Sequence, residues 1–310
     1  MPWRVITEAE RDCAPLDPAT HPFQVDDCGT GTDANCDGVF TPVYVSEGDA
    51  PMPSDDIPAL FMSAGPGQAP VRVAVARDGI TIDLCPGTYR VHLDFVGSGN
   101  VGFKQRAGFT VRGHGDSPDD VVLDAGGSGR TVTVPPTSGW EWWGYGSDVT
   151  LENLTLAHGR AVDALPGGCL VQVESIDDVP EVNGQLTLDR VVFRDCEARI
   201  GGALAVQPNN AVVMTEVVFE DTRALVRGGA IYFEGTTLSM TGGSFENTLA
   251  PVDEGAAIAA VLGAESSLTL QSVDLGAVSD DLAVETSAYS AQRDLGADAT
   301  LVCSATACTP

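Results

Sequence analysis

A unit that recurs three times between residues 186 and 275 constrains the fold of this chain more than any other feature. Each copy contains a phenylalanine and a glycine-led pair of small residues, at Phe193, Phe219 and Phe245 and at Gly201, Gly228 and Gly255. The phenylalanines are 26 residues apart and the glycines 27 residues apart. A fixed period of about 20–50 residues is typical of repeat proteins, in which each unit buries its apolar face against its neighbours.

The apolar residues inside each copy predict strands rather than helices. They alternate with polar residues over short runs of about three to six residues, and glycine or polar turns separate the runs. No run has the length or the i, i+3, i+4 spacing of an amphipathic helix, which excludes ankyrin, tetratricopeptide and leucine-rich repeats. The sequence therefore predicts an all-β chain that forms a parallel β-helix (β-solenoid) with about three strands per coil, whose equivalent residues stack at about 4.8 Å.

Stacking of the copies makes specific predictions about charged side chains. It predicts ion pairs along the outer face, Arg190 with Glu216 and Arg194 with Glu220. It also predicts a polar ladder at one turn, formed by Asp195, Asp221 and Asn247. These charges are then structural, since exposed ion pairs contribute about 0–1 kcal/mol each.

The charge of the chain limits its partners. The 310 residues carry a net charge of −28, with a pI of about 4.1, and Lys104 is the single lysine among 16 basic residues. Nucleic acids and anionic membranes reward clustered Lys and Arg, so the charge argues against both as partners. The composition favours divalent cations, solubility at high salt, or a neutral or basic partner.

The cysteines and the hydropathy bear on location. Eight cysteines, with close pairs near both ends, favour an oxidising compartment. The N-terminus has no apolar core of about 7–15 residues, as a signal peptide would, and no run of about 18 apolar residues predicts a transmembrane helix. We therefore expect an extracellular or cell-surface protein whose export signal lies outside this sequence.

Residues 1–56 form a separate acidic, cysteine-containing segment with little periodicity. Its Asp33, Asn35 and Asp37, followed by glycine, match the start of an oxygen-ligand Ca²⁺ loop and resemble the calcium loops of thrombospondin-type repeats. The twelfth position is Tyr44 instead of the expected Glu. The sequence thus leaves two interpretations, a Ca²⁺ site or an acidic turn pinned by a disulfide.

In the second interpretation, Cys28 and Cys36 close a small loop, and Cys13 pairs elsewhere, for example with Cys85. Further along the chain, Cys169 and Cys196 are expected either as buried thiols or as one bridge between coils. Cys303 and Cys308 are expected to close a short C-terminal loop.

Residues 57–310 are expected to form the β-helix domain, with a short capping helix within residues 55–64 over the first coil. The segment 82–90, with its Pro-Gly-x-Tyr motif at residues 86–89, resembles secreted right-handed β-helix proteins of the pectate-lyase-like superfamily. The glycine-glycine-alanine copies downstream are similar to those of polymorphic outer-membrane proteins. The resemblance implies a right-handed, single-stranded parallel β-helix, a fold that carries many unrelated sites.

An aromatic stretch at residues 137–146 is the candidate binding site, through Trp140, Trp142, Trp143 and Tyr145. It has the composition of a loop inserted between strands. Large aromatic faces with a polar edge suit stacking on sugar rings or on a partner protein. The alternative is that the loop folds back and its rings shield one side of the solenoid.

The sequence supports catalysis less than binding. Calcium-dependent lyases of the family need several acids at alternate strand positions, and no strand here has them. An alternative catalytic site lies around Asp124, His158 and Arg160. The sequence therefore favours a non-catalytic binding or adhesion module for a polysaccharide, a cell-surface glycan or another surface protein. The alternatives are a polysaccharide lyase or glycoside hydrolase, and a structural module of a larger surface protein.

Overall fold

The computed structural model describes residues 28, 43–47, 50–51, 69–75, 79–95, 107–134, 147–162, 166–173, 184–251, 254–275, 282–286, 290–293, 299–304 and 308–309. Strands dominate these residues. The described helical element is a 3-10 turn, Pro118–Asp120, whose first backbone N–H groups are capped by Ser117. None of the described helices is long and apolar enough to cross a membrane.

Twenty-five strands lie in the described residues. The first twelve are β1 (Val43–Glu47), β2 (Ala50–Pro51), β3 (Val71–Val75), β4 (Ile80–Leu84), β5 (Gly87–Tyr89), β6 (Val91–Phe95), β7 (Ala107–Gly113), β8 (Val121–Asp124), β9 (Val132–Val134), β10 (Ser147–Ala157), β11 (Arg160–Ala161) and β12 (Leu170–Gln172). The others are β13 (Gln185–Arg194), β14 (Glu197–Ile200), β15 (Leu204–Val206), β16 (Ala211–Glu220), β17 (Arg223–Arg227), β18 (Ile231–Phe233), β19 (Thr237–Glu246), β20 (Ile258–Leu262), β21 (Ser267–Val273), β22 (Leu282–Thr286), β23 (Ser290–Arg293), β24 (Ala299–Ser304) and β25 (Cys308–Thr309).

The strands form three sheets. Sheet 1 has the order β2-β1-β4-β7-β10-β13-β16-β19-β21-β24-β25, with β5 and β8 beside it; sheet 2 has the order β11-β14-β17. Sheet 3 has the order β23-β22-β20-β18-β15-β12-β9-β6-β3. Away from the ends the pairs are parallel, and successive repeats add one strand to each sheet in turn, an arrangement compatible with a β-solenoid.

The register confirms the predicted stacking of the repeats. Phe193 lies opposite Phe219, and Phe219 lies opposite Phe245, on β13, β16 and β19. Their rings are fully buried and nearly parallel, with centroids 4.9 Å and 4.8 Å apart. The column continues through Leu156 and Leu123 in the preceding strands. The marker residues of the repeat are therefore an interior stack.

The alternation seen in the sequence decides which side chains enter the core. On β4 the buried residues are Ile80, Ile82 and Leu84, and the residues between them are partly exposed. Strands β12, β15 and β18 differ, since all three residues of each strand are buried, whichever face of the sheet they point to. Burial on both faces is usual in parallel sheets that are covered on each side.

Two columns of residues with left-handed backbone bend each repeat. One column lies within the long strands and includes Asn153, Arg190 and Glu216. The other is the turn that follows these strands, formed by His158, Asp195, Asp221 and Asn247. Asn and Asp adopt this conformation at low cost, whereas Arg and Glu do so less readily. The second column is the polar ladder that the sequence predicts, with the Asn247 amide donating to Asp221 Oδ1 at 3.1 Å.

Antiparallel strands cover both ends of sheet 1 and one end of sheet 3. Strand β1 pairs with β4 at one end of sheet 1, and β24 pairs with β21 at the other. In sheet 3, β23 covers β22. Covered edges cannot template pairing with another chain. The capping helix predicted within residues 55–64 lies outside the described residues.

The disulfides correct two predictions. Cys28 is bonded to Cys85, directly after β4, so Cys28 does not close a small loop with Cys36 and Cys13 does not pair with Cys85. Cys36 itself lies outside the described residues, as does Cys13. Cys169 and Cys196 form a bridge between neighbouring repeats, which was one of the two predicted alternatives.

At the C-terminal end, Cys303 is disulfide-bonded, and the backbone of Cys308 lies directly opposite it in the β24–β25 pair. This register is compatible with the predicted bridge between the two residues.

Candidate functional site

The structure brings together two of the three residues of the alternative catalytic site. Asp124 ends β8, and His158 occupies the left-handed turn directly after β10, the next strand of sheet 1. The His158 Nδ1 atom lies 3.1 Å from Asp124 Oδ1. The 34 residues that separate them in the chain span one repeat, so that parallel stacking of β8 on β10 places them side by side.

Asp124 is held in a fixed orientation. Its side chain is 10% exposed, its Oδ1 accepts a hydrogen bond from the Gly126 backbone N–H at 2.6 Å, and its Oδ2 lies 3.3 Å from Arg90 Nη1. The Arg90 Nε atom is buried without a hydrogen-bond partner. A carboxylate with these donors is held as an acceptor, which orients the imidazole of His158.

The other ring nitrogen of His158 approaches a second carboxylate. His158 Nε2 lies 3.6 Å from Asp195 Oδ2, and both side chains are about half exposed, at 52% and 50%. The imidazole thus lies between a buried acid and an exposed acid in contact with solvent. Such a group is able to accept and release a proton at an accessible position, which is the requirement for general acid–base chemistry.

Arg160 does not join this pair through its side chain. Its guanidinium lies 3.5 Å from Glu197 on sheet 2, and its backbone exchanges two hydrogen bonds with Gly129. The structure therefore places Asp124, His158 and Asp195 together, with Arg160 beside them. Sequence reasoning assigned Asp195 to the polar ladder and missed its contact with His158. The available signal was that His158 occupies the equivalent turn position one strand earlier.

A second charged cluster lies on the adjoining outer surface. Arg194 Nε lies 2.7 Å from Glu220 Oε2, and Arg194 Nη2 lies 2.9 Å from Oδ1 of Asp119, the second residue of the 3-10 turn. The hydrogen bond to Glu220 raises the pKa of the Arg194 guanidinium; burial opposes this effect and Asp119 adds to it. The predicted pair of Arg194 with Glu220 is confirmed. The predicted pair of Arg190 with Glu216 is wrong, since Arg190 Nε lies 3.7 Å from Asp189 Oδ2 of its own strand.

The outer face of sheet 1 presents a column of seven stacked positions, six of which carry a hydroxyl group. One position per strand is in register from β4 to β21 and is partly exposed throughout: Thr81, Thr110, Thr150, Thr187, Val213, Ser239 and Thr269. Parallel strands space these positions by about 4.8 Å. We call this set the hydroxyl column. Sequence reasoning did not identify it, although the alternating Thr and Ser residues of the repeats carried the pattern.

A charged column runs beside the hydroxyl column on the same face. Each of its members lies two residues after the hydroxyl-column residue of the same strand. The first four members are Asp83, Arg112, Glu152 and Asp189. Arg112 Nε lies 2.8 Å from Glu152, and Arg112 Nη1 lies 3.7 Å from Asp83. His114 Nε2 lies 2.7 Å from the same Asp83 carboxylate. The N-terminal part of the face therefore offers both carboxylates and a guanidinium beside the hydroxyls.

The aromatic candidates Trp140, Trp142, Trp143 and Tyr145 lie outside the described residues, as do the calcium candidates Asp33, Asn35 and Asp37. Both assignments stay predictions. Among the side chains that the structure describes, no group of three or more His, Cys, Asp or Glu residues is placed to hold a metal ion.

Comparisons of the chain with protein-family models, with curated proteins and with solved structures found no match.

Proposed function

We propose that this protein is an extracellular right-handed parallel β-helix that binds a carbohydrate along the outer face of sheet 1. The observation that carries the proposal is the hydroxyl column, which places six hydroxyl groups on seven strands from Thr81 to Thr269, with Val213 as the one interruption. Hydroxyl groups both donate and accept hydrogen bonds, as sugar hydroxyls do. A linear array of them suits an extended polymer of repeating units.

The charged column provides further hydrogen-bonding groups for a polymer that lies along the hydroxyl column. The Asp83 and Glu152 carboxylates accept hydrogen bonds from sugar hydroxyls, and the neighbouring Arg112 donates them. The net charge of −28 favours a neutral glycan over an acidic one, because like charges repel. Disulfides within the β-rich domain support an oxidising, extracellular setting.

A glycan array followed by calorimetry on the strongest ligand tests the proposal. The test variant is Thr150→Val with Thr187→Val, since Val213 already occupies this column and shows that valine fits there. Loss of two hydrogen bonds of about 0.5–1.5 kcal/mol each weakens binding roughly 5- to 150-fold. The matched control is Thr133→Val on sheet 3, where Val171 lies in register with the threonine.

Equal affinities of the test and control variants would exclude this face as the binding site. The aromatic stretch is tested beside it with Trp142→Ala and Trp143→Ala, which are expected to weaken glycan binding with little effect on thermal stability. A loss of stability with unchanged binding would instead mean that the rings shield the solenoid.

The second candidate is a polysaccharide lyase or glycosidase whose proton-transfer group is His158. The observation in its favour is the placement of the imidazole between Asp124 at 3.1 Å and Asp195 at 3.6 Å. Incubation with uronate and neutral polysaccharides, with and without Ca²⁺, tests for unsaturated products and new reducing ends. Activity that His158→Gln abolishes and that Arg190→Gln leaves intact would favour the enzyme over the binding module.

A further inference from the structure

Sheet 2 carries a charge opposite to that of the whole chain. Its three strands, β11, β14 and β17, contain four arginines and one glutamate, a local charge of +3: Arg160, Arg199, Arg223, Arg227 and Glu197. The chain as a whole has 44 acidic and 16 basic residues. The strands of sheet 2 are thus locally basic on a strongly acidic protein, with the exposed Asp195 and Asp221 of the polar ladder in the turns that precede β14 and β17.

Half of these arginines already have carboxylate partners. Arg160 lies 3.5 Å from Glu197, and Arg227 lies 3.6 Å from Glu254. Arg199 and Arg223 are exposed, and neither forms an ion pair within the described residues. Two guanidinium groups therefore remain available on this sheet.

Two exposed leucines lie next to these guanidinium groups. Leu225 is 43% exposed and Leu249 is 55% exposed, and they are two of the three large hydrophobic residues that are exposed in the described part of the chain. Leu249 pairs with Arg223 through a β-bridge, and Leu225 lies two residues after Arg223 on the same side of β17.

A β-bulge sets the position of Leu225. Ala198 lies opposite Ala224, and Ile200 lies opposite Arg227, so that one residue of β14 faces two residues of β17. The single residue is Arg199, and Leu225 is one of the two. Bulges change the direction of side chains and are common beside functional sites. We call the four residues Arg199, Arg223, Leu225 and Leu249 the Arg–Leu patch.

We propose that the Arg–Leu patch binds an acidic segment of a partner protein, with carboxylates on the arginines and an apolar side chain on the leucines. Arginine binds carboxylates through two parallel hydrogen bonds and is enriched in protein interfaces. Aliphatic side chains contribute contact area to a protein partner, whereas the polar surface of a polysaccharide leaves them without a complement. The inference does not depend on the carbohydrate face, which lies on sheet 1.

Fluorescence anisotropy with the full chain and short labelled peptides tests the proposal. One peptide contains several Glu and two Leu among Gly and Ser; a second has Lys for Glu, and a third has Ser for Leu. The Glu–Leu peptide is expected to bind and the Glu–Ser peptide to bind at least about tenfold more weakly. The Lys–Leu peptide is expected to bind only to the acidic surface outside the patch, so its binding is the same in the wild type and in the patch variants. Binding is also expected to weaken as salt is added.

Two variants locate the site, and a third is the control. Arg199→Ser with Arg223→Ser, and separately Leu225→Ser, each weaken binding of the Glu–Leu peptide at least about tenfold. Arg190→Ser removes an exposed arginine outside the patch and leaves binding unchanged. Far-UV circular dichroism checks that all variants fold.

Unchanged binding in the patch variants would overturn the proposal. Equal binding of the Glu–Leu and Glu–Ser peptides would also overturn it, because the leucines would then take no part. A sulfated dextran that binds as tightly as the Glu–Leu peptide and is lost in the same variants would assign the patch to an anionic polysaccharide instead.

Discussion

The stack of Phe193, Phe219 and Phe245 predicts an unequal response to the same substitution. Phe219 contacts a ring on each side, at 4.9 Å and 4.8 Å, whereas each outer phenylalanine contacts one ring of the stack. Replacement by leucine is the matched change, since Leu156 occupies the same column one strand earlier and shows that leucine fits there. Stacked aromatic pairs contribute about 0.5–1.5 kcal/mol beyond their buried area.

Phe219→Leu therefore lowers the free energy of unfolding by about 0.5–1.5 kcal/mol more than Phe193→Leu or Phe245→Leu does, because it removes two ring pairs instead of one. The same atoms are removed at each site, so the transfer part of the cost is equal, and the double-mutant cycles below separate out the part that depends on local relaxation. Guanidinium unfolding followed by far-UV circular dichroism measures these differences, with equal m-values as the condition for comparison.

Double-mutant cycles separate stacking from general packing. Phe193 and Phe219 are expected to couple by about 0.5–1.5 kcal/mol, and Phe193 and Phe245, which lie two strands apart, by close to zero. Equal destabilisation at all three sites, or equal coupling in both cycles, would refute the stacked column as the source of the effect.

Three further predictions follow from the core. Gln172 is 1% exposed and neither of its amide atoms has a hydrogen-bond partner, so Gln172→Leu raises the free energy of unfolding by about 1–3 kcal/mol, whereas the exposed control Gln185→Leu changes it little. Burial raises the pKa of Tyr89 from 10.0 to about 12. Because the folded state disfavours the phenolate, stability falls as the pH rises from about 10 to about 12, and urea unfolding across that range shows a smaller fall in Tyr89→Phe; identical pH profiles would contradict this. Replacing both Cys169 and Cys196 by alanine removes a bridge between residues 27 positions apart. On the loop-entropy model this lowers the free energy of unfolding by about 3.5 kcal/mol, measured as a lower denaturation midpoint; an unchanged midpoint would count against a stabilising bridge.

The repeat period predicted the part of the architecture that depends on equivalent positions. Because Phe193 and Phe219 occupy the same place in successive copies, stacking them also aligns the other residues of β13 and β16, including Arg194 with Glu220. The alternation of apolar residues then decides which side chains enter the core. These relations repeat along the chain, so a single sequence is sufficient to state them.

Contacts between unequal segments required the tertiary structure. The bonding of Cys28 to Cys85 joins a non-repetitive segment to a strand, and no period relates the two. His158 belongs to a looser copy, so its position between Asp124 and Asp195 depends on how the strands before and after it are stacked.

The sequence by itself determined which residues of this protein recur and therefore which residues stack. The repeat pattern is local, and three copies of it occur in the chain. Only the tertiary structure decided which outward-facing side chains meet where the backbone bends or bulges. Arg190 pairs with Asp189 of its own strand, and Arg199, Leu225 and Leu249 lie together because a bulge interrupts the register of β14 and β17. Side-chain direction at bends and bulges depends on the backbone of neighbouring strands, and no single repeat contains that information.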